Sequence, residues 1–219
     1  MIPVHQAPPT RNPFAAGAIR SGMVPYLFPP EESLLGLLPL LREQQWFGQI
    51  VGPHGSGKST LLASLLPEVA RQAGKVMVIR LTTYRRSVPV ELRRLIRSNS
   101  AAEGARVIII DGYEQLPAWR RFWLQLRCLR KGCGLLVSAH RPLQGMPVLY
   151  RTRVSPEIAA RVVGHLLRDD LSVVIDDLKE KANALLVSHQ NNLREVLWDL
   201  YDWYEERNWS RPGAKSCRR

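Results

Sequence analysis

Apolar residues recur in short continuous runs, separated by longer stretches in which they return every third or fourth position. The runs 47–51, 76–81, 107–111, 135–140 and 148–154 are rich in Val, Ile and Leu, and each predicts a short buried strand. Between the first two, Leu61, Leu62, Leu65, Leu66 and Val69 fall at helical spacing. A helix is also predicted over 31–44, with Glu31 and Glu32 in its first turn and Pro39 inside it. Two more follow, a short basic one near 89–97 and one over 117–131. In the latter Trp119, Phe122, Trp123, Leu126 and Leu129 form a single apolar face, assigned to the core or an interface. Strands alternating with helices predict an α/β domain with a parallel sheet.

Beyond residue 154 the pattern becomes wholly helical. Ser155-Pro156-Glu157 opens a helix with Ile158, Val162, Val163, Leu166 and Leu167 inside, and a second starts at Asp176-Asp177. Asn192-Leu193-Arg194-Glu195 opens a third, Asn192 capping it and Glu195 reaching back. The plan is an extended proline-rich arm (1–33), an α/β core (34–154), a helical unit (155–209) and a disordered tail (210–219). In the arm, Asn12-Pro13-Phe14 and the 25–29 segment set aromatics beside turn formers, to fasten it to the core or to lie near a base.

The run from Gly52 to Thr60 changes this picture most. Gly52-Pro53-His54-Gly55-Ser56-Gly57-Lys58-Ser59-Thr60 follows a predicted strand, precedes a predicted helix and fits G-x-x-x-x-G-K-[ST] without mismatch. Glycines let the backbone approach a polyphosphate closely, so that successive N–H groups and the positive helix end face the anion. Lys58 is then the cation for the β- and γ-phosphates of ATP, and the Ser59 hydroxyl a ligand of Mg²⁺.

A β-branched run ending in an acid, 107–111, follows at the distance a second phosphate-loop motif requires, making Asp111 the second Mg²⁺ residue. Gly112 stands where many hydrolases carry a glutamate. Glu114 is therefore the candidate to polarise water, or else caps the next helix. Ser138 and His140 close the 135–140 run at the sheet edge where ligands bind, and are candidate γ-phosphate contacts. Arg194 sits in a first helical turn, where a cation opposes the helix dipole. That placement hints at an external anion, with Glu195 as the internal alternative.

The 219 residues carry a net charge of +12. Residues 1–150 hold 19 Lys and Arg against 8 acids, and 151–219 hold 12 against 11, so the excess belongs to the core. Arg85, Arg86, Arg93, Arg94, Arg97, Arg120, Arg121, Arg127, Arg130 and Lys131 make up much of it. A nucleic-acid partner and a merely solvated surface are both open, since no recognised DNA-binding motif accompanies these residues. The most apolar run, 34–41, is too short to span a membrane, and no signal peptide is visible. Cys128, Cys133 and Cys217 lack metal-ligand spacing and fit free thiols in a cytoplasmic protein.

In order, these parts resemble an AAA+ ATPase: Gly52–Ser59 as Walker A, Val107–Asp111 as Walker B, Ser138–His140 in the sensor 1 place. Asn191-Asn192-Leu193-Arg194-Glu195 resembles the sensor 2 motif of the helical lid. The arm with Asn12-Pro13-Phe14 ahead of a helix and Walker A is similar to ATPases of the ExeA and transposition-helper type. The resemblance implies a P-loop NTPase with a five-stranded parallel sheet in the order 5-1-4-3-2 and a small C-terminal α-helical lid. It further implies a nucleotide between core and lid, Arg194 on its γ-phosphate, and hydrolysis that drives a conformational change. Arg141, Arg151 and Arg153 lie in the region of an arginine finger without a matching motif, which leaves assembly into nucleotide-dependent homo-oligomers open.

Two other readings share the loop. A phosphotransferase would use the same Lys58, although an Asn-x-Arg-Glu helix is not a kinase feature. A non-hydrolysing ATP-dependent switch fits Gly112 in place of glutamate. An ABC-transporter ATPase is excluded, because no L-S-G-G-Q signature lies between Lys58 and Asp111.

Overall fold

The computed structural model describes residues 12–15, 24–81, 105–167 and 175–209. The predicted basic helix near 89–97, Arg85 to Arg97 and the tail from 210 lie outside them. The chain divides into two compact units, Phe28–Arg153 and a second made of Met1–Leu27 with Val154–Arg219.

The first unit is built on five parallel strands: β1 (Phe47–Val51), β2 (Val76–Arg80), β3 (Val107–Asp111), β4 (Gly134–Ala139) and β5 (Val148–Arg151). Their order across the sheet is β2-β3-β4-β1-β5, the expected order read from the other edge. β1 and β4 are buried at every position, as central strands covered on both faces must be. Val51 pairs with Ala139 and Ile110 with Val137, so β1, β3 and β4 end together at one edge.

Helices cover both faces. α1 (Leu34–Glu43) and α2 (Lys58–Ala73) pack on each other, α2 against β1, β3 and β4, and α1 against β5. α1 starts three residues later than expected, because the Ser33 hydroxyl accepts from the Gly36 N–H and fixes the cap there. Glu31 and Glu32 precede the helix. A 3₁₀ turn (Tyr113–Gln115) and α3 (Ala118–Arg130) cover the other face.

α3 corrects the core half of the sequence reading and leaves the interface half open. It turns Leu124 and Cys128 to the sheet, into a cluster with Ile108, Ile110, Leu135 and Val137. Trp119 and Phe122 are 56% and 61% exposed, and Trp123 and Leu129 also face outward. Helical spacing identified an apolar stripe, but the shorter pair on the opposite face is the one that meets the sheet.

Gln49, fully buried in β1, is satisfied by the loop after β4. Its Nε2 donates to the carbonyls of Leu143 (2.9 Å) and Met146 (2.7 Å), and its Oε1 accepts from the Leu143 N–H at 2.8 Å.

The second unit contains α4 (Pro156–Leu166), α5 (Ile175–Ser188) and α6 (Leu193–Trp209). Ile158, Val163, Leu178, Leu186, Val196 and Leu200 form its core, with Phe14 of the arm buried among them. The Phe14 ring meets Tyr204 edge to face at 6.1 Å. The Asn12 amide donates to the Tyr201 carbonyl (3.1 Å) and to Glu205 Oε1 (2.8 Å). The arm's Phe14 is thus fastened within the helical unit's own core. Farther along, Phe28 packs on Tyr150, whose hydroxyl bonds Glu32.

Candidate functional site

The loop between β1 and α2 takes its shape from three glycines. Gly55 and Gly57 have φ of 67° and 88°, a left-handed conformation that side chains disfavour. Gly52 is required for closeness: a Cβ there would stand 2.1 Å from Thr152 Oγ1 and 2.8 Å from Ser56 Oγ. Ser56 and Thr152 share a hydrogen bond of 2.6 Å, and the Ser56 hydroxyl also contacts the Pro53 carbonyl at 2.8 Å. Thr152 thus pins the loop to the segment after β5. No motif in the sequence marks that residue.

Lys58 opens α2 and is largely buried. Its ammonium donates to the carbonyls of Gly52 (2.7 Å) and Pro53 (2.6 Å) and lies 3.1 Å from His140 Nδ1. Ser59 Oγ donates to Asp111 Oδ1 at 3.0 Å, and Ser138 Oγ donates to the same oxygen at 2.6 Å while accepting from the Gly112 N–H at 2.8 Å. Ser138 is therefore turned toward Asp111, and its hydroxyl acts on that carboxylate.

Gly112 answers why the residue after Asp111 is not an acid. Its φ is 79°, and a Cβ would come 2.8 Å from the Leu81 carbonyl. The candidate carboxylate Glu114 stands two residues on, in the 3₁₀ turn held by the buried Tyr113, whose hydroxyl donates to the Arg121 carbonyl at 3.0 Å. Glu114 does not cap α3, whose N-cap residue is Pro117 and which has no side-chain cap. Its Oε1 is 3.0 Å from His140 Nε2, and its Oε2 is buried without a hydrogen-bond partner among the described residues.

His140 follows the end of β4 and joins these groups. Burial and then the Lys58 ammonium hold its imidazole below the usual histidine range, with Glu114 pulling the other way and His54 adding to the depression. The His54 ring lies over it at 3.7 Å between centroids.

Lys58, Ser59, Asp111, Glu114, Ser138 and His140 thus come together at one edge of the sheet, with Gly52 to Thr60 as the loop around them. Arg194 lies in the second unit, exposed, at the second residue of α6; its N–H donates to Asn192 Oδ1 at 3.2 Å. Arg141, Arg151 and Arg153 are exposed in the first unit. The donor set suits Mg·ATP: the loop presents a buried cation, and Ser59 with Asp111 gives the oxygen ligands that Mg²⁺ prefers. Among the described residues no cluster of three His, Cys, Asp or Glu could by itself hold a metal.

Among solved structures, the chain is similar to domain III of the replication initiation protein DnaA from Thermotoga maritima. The TM-score is 0.57 at 16% identity, over 87% of this chain and 90% of that one. The fold is of the AAA+ P-loop type. A DNA replication initiation factor aligns with TM-score 0.51 at 10% identity, over 84% of this chain and 70% of its own. DnaA bound to AMPPCP and single-stranded DNA aligns at 0.50 and 13% identity, over 82% and 66%. The AMPPCP and the DNA are ligands of that protein. No protein-family model and no curated protein sequence matches the chain. No helix among the described residues is long and apolar enough to cross a membrane.

Proposed function

We propose that this chain is an ATPase of AAA+ type that binds Mg·ATP and couples its hydrolysis to a conformational change acting on a partner. The observation that carries the reading is the meeting of Lys58, the Ser59–Asp111 pair and Glu114 at one strand edge. Lys58 is the cation for the β- and γ-phosphates, and Gly52 to Thr60 provide the backbone donors. Ser59 and Asp111 hold Mg²⁺, whose charge offsets that of the phosphates when bound. Ser138 positions Asp111. Glu114 orients the attacking water through its unpartnered Oε2, while His140 holds the other oxygen. That carboxylate favours a hydrolase over the non-hydrolysing switch.

Residues 155–209 are the proposed lid, with Arg194 as its contact to the nucleotide, 34–154 the ATPase core and 1–33 the arm. The kinship with ExeA and transposition-helper ATPases belongs to this proposal, as does nucleotide-dependent homo-oligomerisation. Nucleic acid is the favoured partner. On α3, exposed Trp119, Phe122 and Trp123 alternate with Arg120, Arg121, Arg127 and Arg130, and the Arg120 guanidinium lies 4.9 Å over the Trp119 ring. Stacking rings among cations suit single strands. A cytoplasmic location agrees with the free thiols of Cys128 and Cys133.

Lys58→Ala tests the core of the reading. Mg·ATP affinity measured by calorimetry should fall about 10- to 100-fold, the worth of a charge-assisted contact, with circular dichroism unchanged. Undiminished affinity would overturn the site. Phosphate release without an acceptor distinguishes the hydrolase from a phosphotransferase.

A further inference from the structure

Lys58, His140 and Glu114 form a continuous chain of contacts. An ammonium has donors and no acceptor, so at 3.1 Å from Lys58 the His140 Nδ1 must be the accepting nitrogen. The ring proton then sits on Nε2, which faces Glu114 Oε1 at 3.0 Å. In this arrangement the imidazole is neutral, and a proton on Nδ1 would confront the lysine cation directly.

The charged and titratable groups facing the ring are Lys58 from α2, Glu114 from the 3₁₀ turn and His54 from the loop. The Gly52 carbonyl, which now accepts from Lys58 at 2.7 Å, also favours a protonated ring. It is a ready acceptor for Nδ1–H once the ammonium is drawn away.

We infer that His140 couples occupancy of the phosphate loop to protonation: an anion that withdraws Lys58 from Nδ1 makes the ring take up one proton there. Solvent supplies the proton, the Nδ1 lone pair forms the new N–H bond, and Nε2 keeps Glu114 in place throughout. His140 is thus a positioning residue whose charge reports whether Lys58 is engaged. The inference rests on the phosphate-loop reading above and adds a proton linkage that the loop motif does not contain.

The sign follows from linkage. Burial and the Lys58 ammonium together depress the ring, and it gains proton affinity when a phosphate draws the lysine away. Nucleotide affinity should therefore strengthen as pH falls through the higher, nucleotide-bound value. It should level off below the lower, nucleotide-free value. The steepest change is about tenfold per pH unit, for uptake of one full proton.

The test is calorimetric titration of the full chain with Mg·ADP in buffers of different ionisation enthalpy. The slope of observed against buffer enthalpy counts protons taken up. Wild type should show uptake that His140→Gln lacks, since glutamine can still donate to Glu114 but cannot titrate. The nucleotide's own ionisation appears in both proteins and cancels in the comparison. Equal slopes in wild type and mutant would overturn the inference while leaving the phosphate loop intact. Uptake that survives His140→Gln and disappears in His54→Gln would overturn it too, by moving the proton to His54. No binding by wild type would sink the phosphate-loop reading itself. If His140→Gln fails to fold, the ring C–H resonances of His140 followed against pH with and without Mg·ADP give the same readout. A titration midpoint that does not rise with nucleotide would count against it.

Discussion

Ser138 Oγ lies 2.6 Å from Asp111 Oδ1, the same oxygen that accepts from Ser59 at 3.0 Å. The serine at the end of β4 therefore orients the acid at the end of β3, and it accepts the Gly112 N–H at 2.8 Å as well. Ser138→Ala removes a donor to a carboxylate, a contact worth about 1.5–3 kcal/mol. The Mg²⁺ concentration needed for half-maximal nucleotide binding should rise about tenfold or more, and the melting temperature should fall as Gly112 loses its acceptor. A titration of Mg²⁺ at fixed ATP checks this. An unchanged midpoint would mean that Asp111 is held without the serine.

Gly112 separates a structural constraint from a catalytic one. Its φ of 79° and the Leu81 carbonyl, 2.8 Å from a would-be Cβ, leave no room for a side chain. Gly112→Ala should cost about 1–3 kcal/mol of stability, read as a lower urea midpoint with an unchanged slope. Gly112→Glu should be destabilised likewise and, if Glu114 is the working carboxylate as proposed, hydrolyse no faster. Faster turnover by Gly112→Glu would reassign that role.

The two faces of α3 should respond oppositely to truncation. Leu124→Ala opens a cavity under the sheet and should cost about 2–5 kcal/mol. Trp119→Ala and Trp123→Ala remove exposed rings and should stay within about 0.5 kcal/mol of wild type. The same two substitutions should weaken binding to single-stranded DNA by about 1–3 kcal/mol per lost stack. Binding by wild type should itself fall steeply with salt as counterions are released. Fluorescence anisotropy across a salt series checks both, and unchanged DNA affinity would leave α3 a solvated surface.

These contrasts mark what the sequence exposes and what it hides. The five strands were legible, because buried parallel strands need unbroken apolar runs such as Val107-Ile108-Ile109-Ile110, whereas their order followed only from the resemblance to AAA+ ATPases. The loop was legible because close approach at Gly52 and left-handed backbone at Gly55 and Gly57 both require glycine. Thr152 and Gln49 were not, since their partners lie 96 and 94–97 residues away and a single polar residue leaves no periodic trace. α3 misled for a related reason. Periodicity finds an apolar stripe, but which stripe meets the sheet depends on where the preceding turn aims the helix, here set by Tyr113 and Leu116 buried beneath it. Likewise Phe14 was visible as an anchor, but its place beside Tyr204 depends on a contact across the length of the chain.

Arg194 tests the helical unit rather than the phosphate loop. It is exposed at the second residue of α6, where a cation opposes the helix dipole by about 0.3–1 kcal/mol. If a γ-phosphate compensates it, Arg194→Ala should lose discrimination between ATP and ADP, because only ATP presents that group. ADP affinity should barely move, and thermal stability without nucleotide should stay level or rise slightly as the unfavourable charge is removed. If Glu195 is the compensating group instead, the mutant should melt lower and keep its ATP preference. Melting curves of wild type and Arg194→Ala, each alone, with Mg·ADP and with a non-hydrolysable Mg·ATP analogue, distinguish the two. A mutant that retains the full ATP-over-ADP shift removes Arg194 from the nucleotide contact and leaves the lid without its assigned cation.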